Sequence, residues 1–199
     1  MKTLVIIPSR LSAKRLPGKP LLKINGLSII SHVFKKAEDA NIGEVVVATE
    51  DQEIIDDVKQ NGGRAILTKK KHQTGTDRIY EALQSLDSSN IDFVMNLQGD
   101  EPLINIEDIR NLNNQMIKNQ SQLGTLASKI VDNDMFENQN IVKVVTKEKL
   151  SSSNFPEALN FMRNITEEKK NIYHHLGVYS YNKDTLEKFV SLNQSASEI

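Results

Sequence analysis

Three short apolar runs constrain what this chain can fold into. Leu4-Val5-Ile6-Ile7, Glu44-Val45-Val46-Val47-Ala48 and Phe93-Val94-Met95-Asn96-Leu97 each have the length and composition of a buried strand. Between them the pattern changes period. Ser28 can cap a helix carrying Ile29, Ile30, Val33, Phe34 and Ala37, ended by Asn41 and Gly43. Thr49 is placed to cap a second helix with Ile54, Ile55 and Val58, closed by Asn61-Gly62-Gly63, before a short strand at Ala65-Ile66-Leu67. A third helix is expected from Thr76 to Leu86. Strand, helix, strand, helix, strand with short links predicts parallel pairing in an α/β fold. Further on, a helix is expected over Ile106 to Lys118, with strands at Leu123 to Ile130, Ile141 to Thr146 and Tyr173 to Tyr181. Leu159 to Ile165 reads as extended, and Asp184 to Val190 as a short helix. No repeat or linker divides the 199 residues, so one domain is expected.

Bulk properties narrow the function. A net charge of -1 argues against a general nucleic-acid binder, so clustered cations are to be read as a local site. The absence of cysteine excludes thiolate chemistry. No apolar run approaches transmembrane length, and Pro8 ends the first one too soon for a secretory signal. A cytoplasmic protein is expected. The chain has no G-x-G-x-x-G after its first strand and no P-loop, which disfavours common NAD enzymes and P-loop ATPases.

The local cations follow the first strand directly. Pro8 to Leu21 reads PSRLSAKRLPGKPL, with Arg10, Lys14, Arg15 and Lys19 around Pro17, Gly18 and Pro20. A cationic loop leaving a strand end can hold a polyanion beyond the sheet. Prolines lower the entropy cost of ordering those cations. A solvated basic loop is the alternative. Gln98-Gly99-Asp100-Glu101-Pro102 follows another strand end, where Asp100 offers the hard oxygen that Mg²⁺ prefers. His72-Gln73-Thr74-Gly75-Thr76-Asp77-Arg78 lies at a loop-to-helix junction, with Thr76 as the expected cap. In His174-His175-Leu176-Gly177-Val178-Tyr179, strand alternation puts His175, Gly177 and Tyr179 on one face. Adjacent histidines on opposite faces do not suit zinc.

Together, SRLSAKRLPGKPL, HQTGTDR, QGDEP and HLGVY closely resemble the signatures of the sugar-acid cytidylyltransferases, especially the branch acting on 3-deoxy-manno-octulosonate (Kdo). The resemblance covers almost the whole chain. It implies a three-layer nucleotide-diphospho-sugar transferase fold with a mainly parallel, mixed sheet. It implies coupling of CTP to Kdo, giving CMP-Kdo and pyrophosphate for lipopolysaccharide synthesis. Another acidic sugar, such as a neuraminate or pseudaminate, or a weakly active nucleotide-binding protein are the alternatives. Arg10, Arg15 and Lys19 are implied to serve the triphosphate, and Asp100 to hold Mg²⁺. Gln73, Thr74, Gly75 and Arg78 are implied to hold the cytidine nucleotide. Gln98, Arg163, His175, Tyr179 and Glu198 are implied to contact the sugar acid. Thr74 stands where the family usually has serine and keeps its hydroxyl. Near Arg163 the pattern departs from the family at Asn160, Met162 and Thr166. Finally, Ser195-Ala196-Ser197-Glu198 is a capping box followed only by Ile199. The resemblance implies a further helix and a second acidic metal ligand beyond it. A truncated chain, less stable and weakly active, is therefore the expectation, and a homodimer where that segment is present.

Overall fold

The computed structural model describes residues 1–12, 16–69, 72, 74–165 and 170–192. Its elements, in chain order, begin with β1 (Thr3–Ser9), a one-turn 3₁₀ helix (Lys19–Leu21) and the small hairpin β2 (Lys23–Ile24) and β3 (Leu27–Ser28). Then come α1 (Ile29–Ala40), β4 (Gly43–Thr49), α2 (Gln52–Gln60), β5 (Ala65–Leu67), α3 (Gly75–Gln84) and β6 (Phe93–Asn96). The second half holds α4 (Ile106–Asn119), β7 (Leu123–Ser128), α5 (Asn133–Glu137), β8 (Lys143–Thr146), β9 (Ala158–Met162), β10 (Ile172–Asn182) and α6 (Lys183–Val190).

The main sheet runs β5-β4-β1-β6-β10-β8-β9, with β7 also paired to β10. Strands β5, β4, β1 and β6 are parallel, and β10 joins them antiparallel. The apolar runs explain this arrangement, because each is buried on both faces. Val5 and Ile7, with Val45, Val47, Phe93 and Met95, pack against α1, α2 and α4. Leu4 and Ile6, with Val46, Ala48 and Val94, pack against α3 and α6. Successive strand residues point to opposite faces, so an uninterrupted apolar run supplies both cores of a three-layer structure.

Gly43 sits where β4 starts beside β1, opposite Thr3. A Cβ there would lie 1.8 Å from the Thr3 carbonyl oxygen. Since backbone rather than a flexible side chain blocks it, Gly43→Ala should cost about 2 kcal/mol of stability. Urea unfolding checks this, and an unchanged midpoint would show that β1 gives way freely.

Two helix starts differ from expectation. Helix α2 is entered at Asp51, not Thr49, and no side chain caps it. Thr49 Oγ1 accepts from the Asp51 N–H instead (3.1 Å), and the Asp51 carboxylate is turned away to the N–H of Leu11 (2.7 Å). Helix α3 is capped by Thr74, not Thr76. Thr74 and Asp77 form a reciprocal capping box, earlier than the apolar pattern alone suggests.

Candidate active site

The parallel strands end at one cleft, lined by the β1 exit, the start of α3 and the loop after β6. Ligands of open α/β sheets bind at such carboxyl ends. Leu11 and Gly18 anchor the described ends of the loop after β1. The N–H of Leu11 goes to Asp51, and its carbonyl accepts from Gly18 (3.0 Å). Gly18 has φ +74°, a conformation that favours glycine, and it opens the 3₁₀ turn whose second residue, Pro20, is buried. That turn aims Lys19 across the cleft. Its Nζ lies 2.7 Å from Asp100 Oδ2, joining the first loop to the QGDEP loop. Arg10 lines the same cleft with no ion pair among the described residues. Arg15, Gln73 and Glu198 lie outside the described residues, as does the terminal capping box.

Gly99 allows the QGDEP loop to reach this position. A Cβ there would stand 3.0 Å from the Pro8 carbonyl oxygen and 3.1 Å from Ile30 Cδ1. Gln98 donates from Nε2 to the Gly177 carbonyl (3.0 Å), tying the cleft to β10. Burial, and then the neighbouring Asp100 charge, push the Glu101 carboxyl above its ordinary range. Lys19 and His174 work against that shift.

At the α3 side, Thr74 and Gly75 bring the first helical turn to the cleft. The Thr74 hydroxyl is used within the cap, since it accepts from the Asp77 N–H (3.2 Å) and stands 2.6 Å from Asp77 Oδ2. Arg78 forms part of the cleft wall but is 3% exposed. Its guanidinium donates to Thr68 Oγ1 (2.6 Å) and pairs with Glu50 (3.3 Å). Its charge is therefore already matched. His72, which also lines the cleft, pairs with Glu81.

Three of the predicted residues form separate groupings. His175 on β10 is buried, with Nε2 2.9 Å from Thr125 Oγ1. Phe161 meets its ring edge-on at 4.9 Å and Tyr179 lies tilted at 5.4 Å. Burial, then the charge of His174, hold the His175 pKa below its ordinary value. Arg163, just past the end of β9, donates to the carbonyls of Gln139 (3.2 Å) and Asn140 (3.4 Å). The Gln98–Gly177 hydrogen bond links the ring cluster to the cleft. The rings of His175 and Tyr179 meet on one side of β10, as alternation predicts, but the pairing is irregular between them, because Leu176 stands opposite Leu126 while Tyr179 stands opposite Thr125. A bulge therefore separates His175 from Tyr179.

Sequence reasoning missed Ser9, Glu50 and Thr125. Ser9 Oγ and Glu50 Oε2 are buried without a hydrogen bond among the described residues. Both lie where parallel strands leave the sheet, the rule that located Arg10 and Asp100, and that position alone could have flagged them. Thr125 had no such signal.

The described groups at the cleft comprise the cations Arg10, Lys19 and Arg78 and the carboxylates Asp100 and Glu50. Such a balance falls well short of neutralising a nucleoside triphosphate. Asp100 has its Oδ1 without a hydrogen-bond partner among the described residues, and its side chain is half-exposed. No group of three acidic, histidine or cysteine residues able to cage a metal occurs among the described residues. One accessible carboxylate beside a cationic loop is a donor set Mg²⁺ can use when substrate oxygens and water complete its shell. The residues fit that ion.

The sequence profile of the family described as cytidylyltransferase matches residues 4–198. The chain is 42% identical to the 3-deoxy-manno-octulosonate cytidylyltransferase of Nitrobacter winogradskyi, over 99% of this chain and 78% of that protein. It is 40% identical to the one from Brucella canis, over 100% and 79%. Among solved structures, it is similar to a CMP:2-keto-3-deoxy-manno-octonic acid synthetase complexed with CTP. That similarity has a TM-score of 0.87 and 36% identity, over 100% of this chain and 81% of the other. A cytidylyltransferase from Leptospira borgpetersenii shares the fold at a TM-score of 0.61 and 21% identity, over 100% of this chain and 67% of the other.

Proposed function

The chain belongs to the cytidylyltransferase family, and from that premise we propose that it couples CTP to 3-deoxy-manno-octulosonate, releasing CMP-Kdo and pyrophosphate. The observation carrying this reading is Lys19 facing Asp100 across a cleft at the strand ends. The anomeric hydroxyl of the sugar acid attacks the α-phosphorus of CTP. The new P–O bond forms as the bond to the bridging oxygen breaks, pyrophosphate leaves, and the hydroxyl proton passes to water. Such a transfer needs positioning and charge neutralisation more than covalent help.

Arg10, Arg15 and Lys19 are assigned to the triphosphate and to the charge that grows on departing pyrophosphate. Asp100 would hold Mg²⁺, which would supply positive charge to offset that of the bound substrates. Gln73, Thr74 and Gly75 are assigned to the cytidine side. The Thr74 hydroxyl is committed to its cap, so its contribution there is to shape the turn. Arg78, matched by Glu50 and Thr68, is assigned to building the wall around the nucleotide. Gln98, Arg163, His175, Tyr179 and Glu198 are assigned to the sugar acid.

The product suits lipopolysaccharide assembly, and the reaction suits the cytoplasm. No helix among the described residues is long and apolar enough to cross a membrane. A second copy of the chain is the proposed partner, since edge strand β9 exposes Leu159 (57%) and Phe161 (45%). Exposed apolar edge strands invite pairing. Leu159→Glu should then shift the light-scattering mass from two copies to one, and a monomeric wild type would reject the dimer.

Pyrophosphate release with CTP and Kdo, with and without Mg²⁺, tests the function. Turnover with Kdo that needs Mg²⁺ supports it. Turnover only with another acidic sugar, or CTP binding without pyrophosphate release, would reject it.

A further inference from the structure

We propose that Thr125 fixes the protonation pattern of His175, making the ring a hydrogen-bond acceptor for a hydroxyl of the sugar acid. This rests on the reading of His175 as a sugar-acid contact. Thr125 Oγ1 lies 2.6 Å from the Val178 carbonyl oxygen, 3.2 Å from that of Leu176 and 2.9 Å from His175 Nε2. A threonine hydroxyl has one proton and two lone pairs. Two oxygens 2.6 Å apart attract only with a proton between them, so that proton goes to Val178. What Thr125 then offers His175 is a lone pair. Nε2 must carry the ring proton and donate it, which leaves Nδ1 unprotonated in the neutral imidazole. The opposite arrangement, with Thr125 donating to His175, would set hydroxyl lone pairs against two carbonyl oxygens.

The β10 bulge creates this geometry. Gly177 and Val178 are the extra residues between the Leu176–Leu126 and Tyr179–Thr125 pairs. The extra length turns the carbonyls of Leu176 and Val178 toward Thr125, and that of Gly177 toward Gln98. Phe161 and Tyr179 hold the ring itself. Burial, followed by the His174 charge, favours the neutral ring. A neutral ring with a free Nδ1 accepts from a hydroxyl and repels a carboxylate. His175 therefore reads a hydroxyl of the sugar, and the carboxylate must be gripped by a cation elsewhere. Thr125 touches no substrate in this scheme and is a positioning residue.

The test uses the full chain labelled with ¹⁵N-histidine, with His175 assigned through a His175→Gln variant. Imidazole ¹H–¹⁵N spectra of the wild type near pH 8 should show Nε2 protonated and Nδ1 free. Thr125→Val should blur that pattern and raise KM for Kdo about tenfold, the effect of one buried hydrogen bond, with KM for CTP unchanged. Thr125→Ser should restore both. A wild-type ring protonated at Nδ1 would overturn the proposal. So would a Thr125→Val protein with an unaltered spectrum and KM. The wild-type spectrum decides the tautomer even if Thr125→Val fails to fold. If His175→Gln leaves KM for Kdo unchanged, the sugar-contact reading of His175 falls, and the spectrum still judges Thr125 alone.

Discussion

Asp100→Asn is expected to reduce Mg²⁺-dependent pyrophosphate release by about a hundredfold or more while the protein stays folded. The substitution keeps the side chain's shape and removes the charge a hard cation needs. It also leaves Lys19, 2.7 Å away, without its counter-charge. The fold should tolerate that loss, because the side chains are 34% and 51% exposed and such pairs contribute under about 1 kcal/mol. Activity and stability should therefore separate. The melting temperature should move little, and the Mg²⁺ concentration for half-maximal turnover should rise steeply. An Asp100→Asn enzyme that keeps the wild-type Mg²⁺ dependence would reject the ligand role.

Much of this site could be read from the sequence, because strand ends and glycines leave strong local signals. The runs at Leu4–Ile7 and Phe93–Leu97 located two strands that end at the cleft. The residues that follow them supplied Arg10, Lys19, Gln98 and Asp100. What could not be read depends on contacts distant in sequence. Thr49 resembles the cap of α2, but the helix is entered at Asp51, whose carboxylate serves Leu11, forty residues earlier. Arg78 reads as an arginine for the cytidine nucleotide, yet Glu50 and Thr68 engage it from other elements. The β10 bulge is invisible to an alternation argument, since only pairing with β7 reveals two surplus residues. Helix α5, five residues long with none buried, has no apolar periodicity to announce it. Local chemistry was legible. Its partners were not.

Lys19→Ala should lower kcat about a hundredfold, roughly 3 kcal/mol of transition-state stabilisation, with far less effect on CTP binding. The turn that carries Lys19 is anchored before ligand arrives. Leu11 is pinned through both its backbone groups, Gly18 takes the left-handed turn and Pro20 is buried. A cation held that rigidly needs little reorganisation as charge builds on pyrophosphate, so its contribution falls mainly on the transition state. Before the metal binds, however, Lys19 occupies Asp100 Oδ2 and competes for it. Its removal should then lower the Mg²⁺ concentration needed for half-maximal activity, even as the maximal rate drops. Lys19→Arg should recover only part of the rate, because a planar guanidinium cannot place its charge where the compact ammonium does. Steady-state kinetics across a Mg²⁺ titration, with CTP affinity measured separately, distinguishes these effects. Wild-type turnover in Lys19→Ala would remove Lys19 from the reaction, and an unchanged Mg²⁺ midpoint would remove the competition.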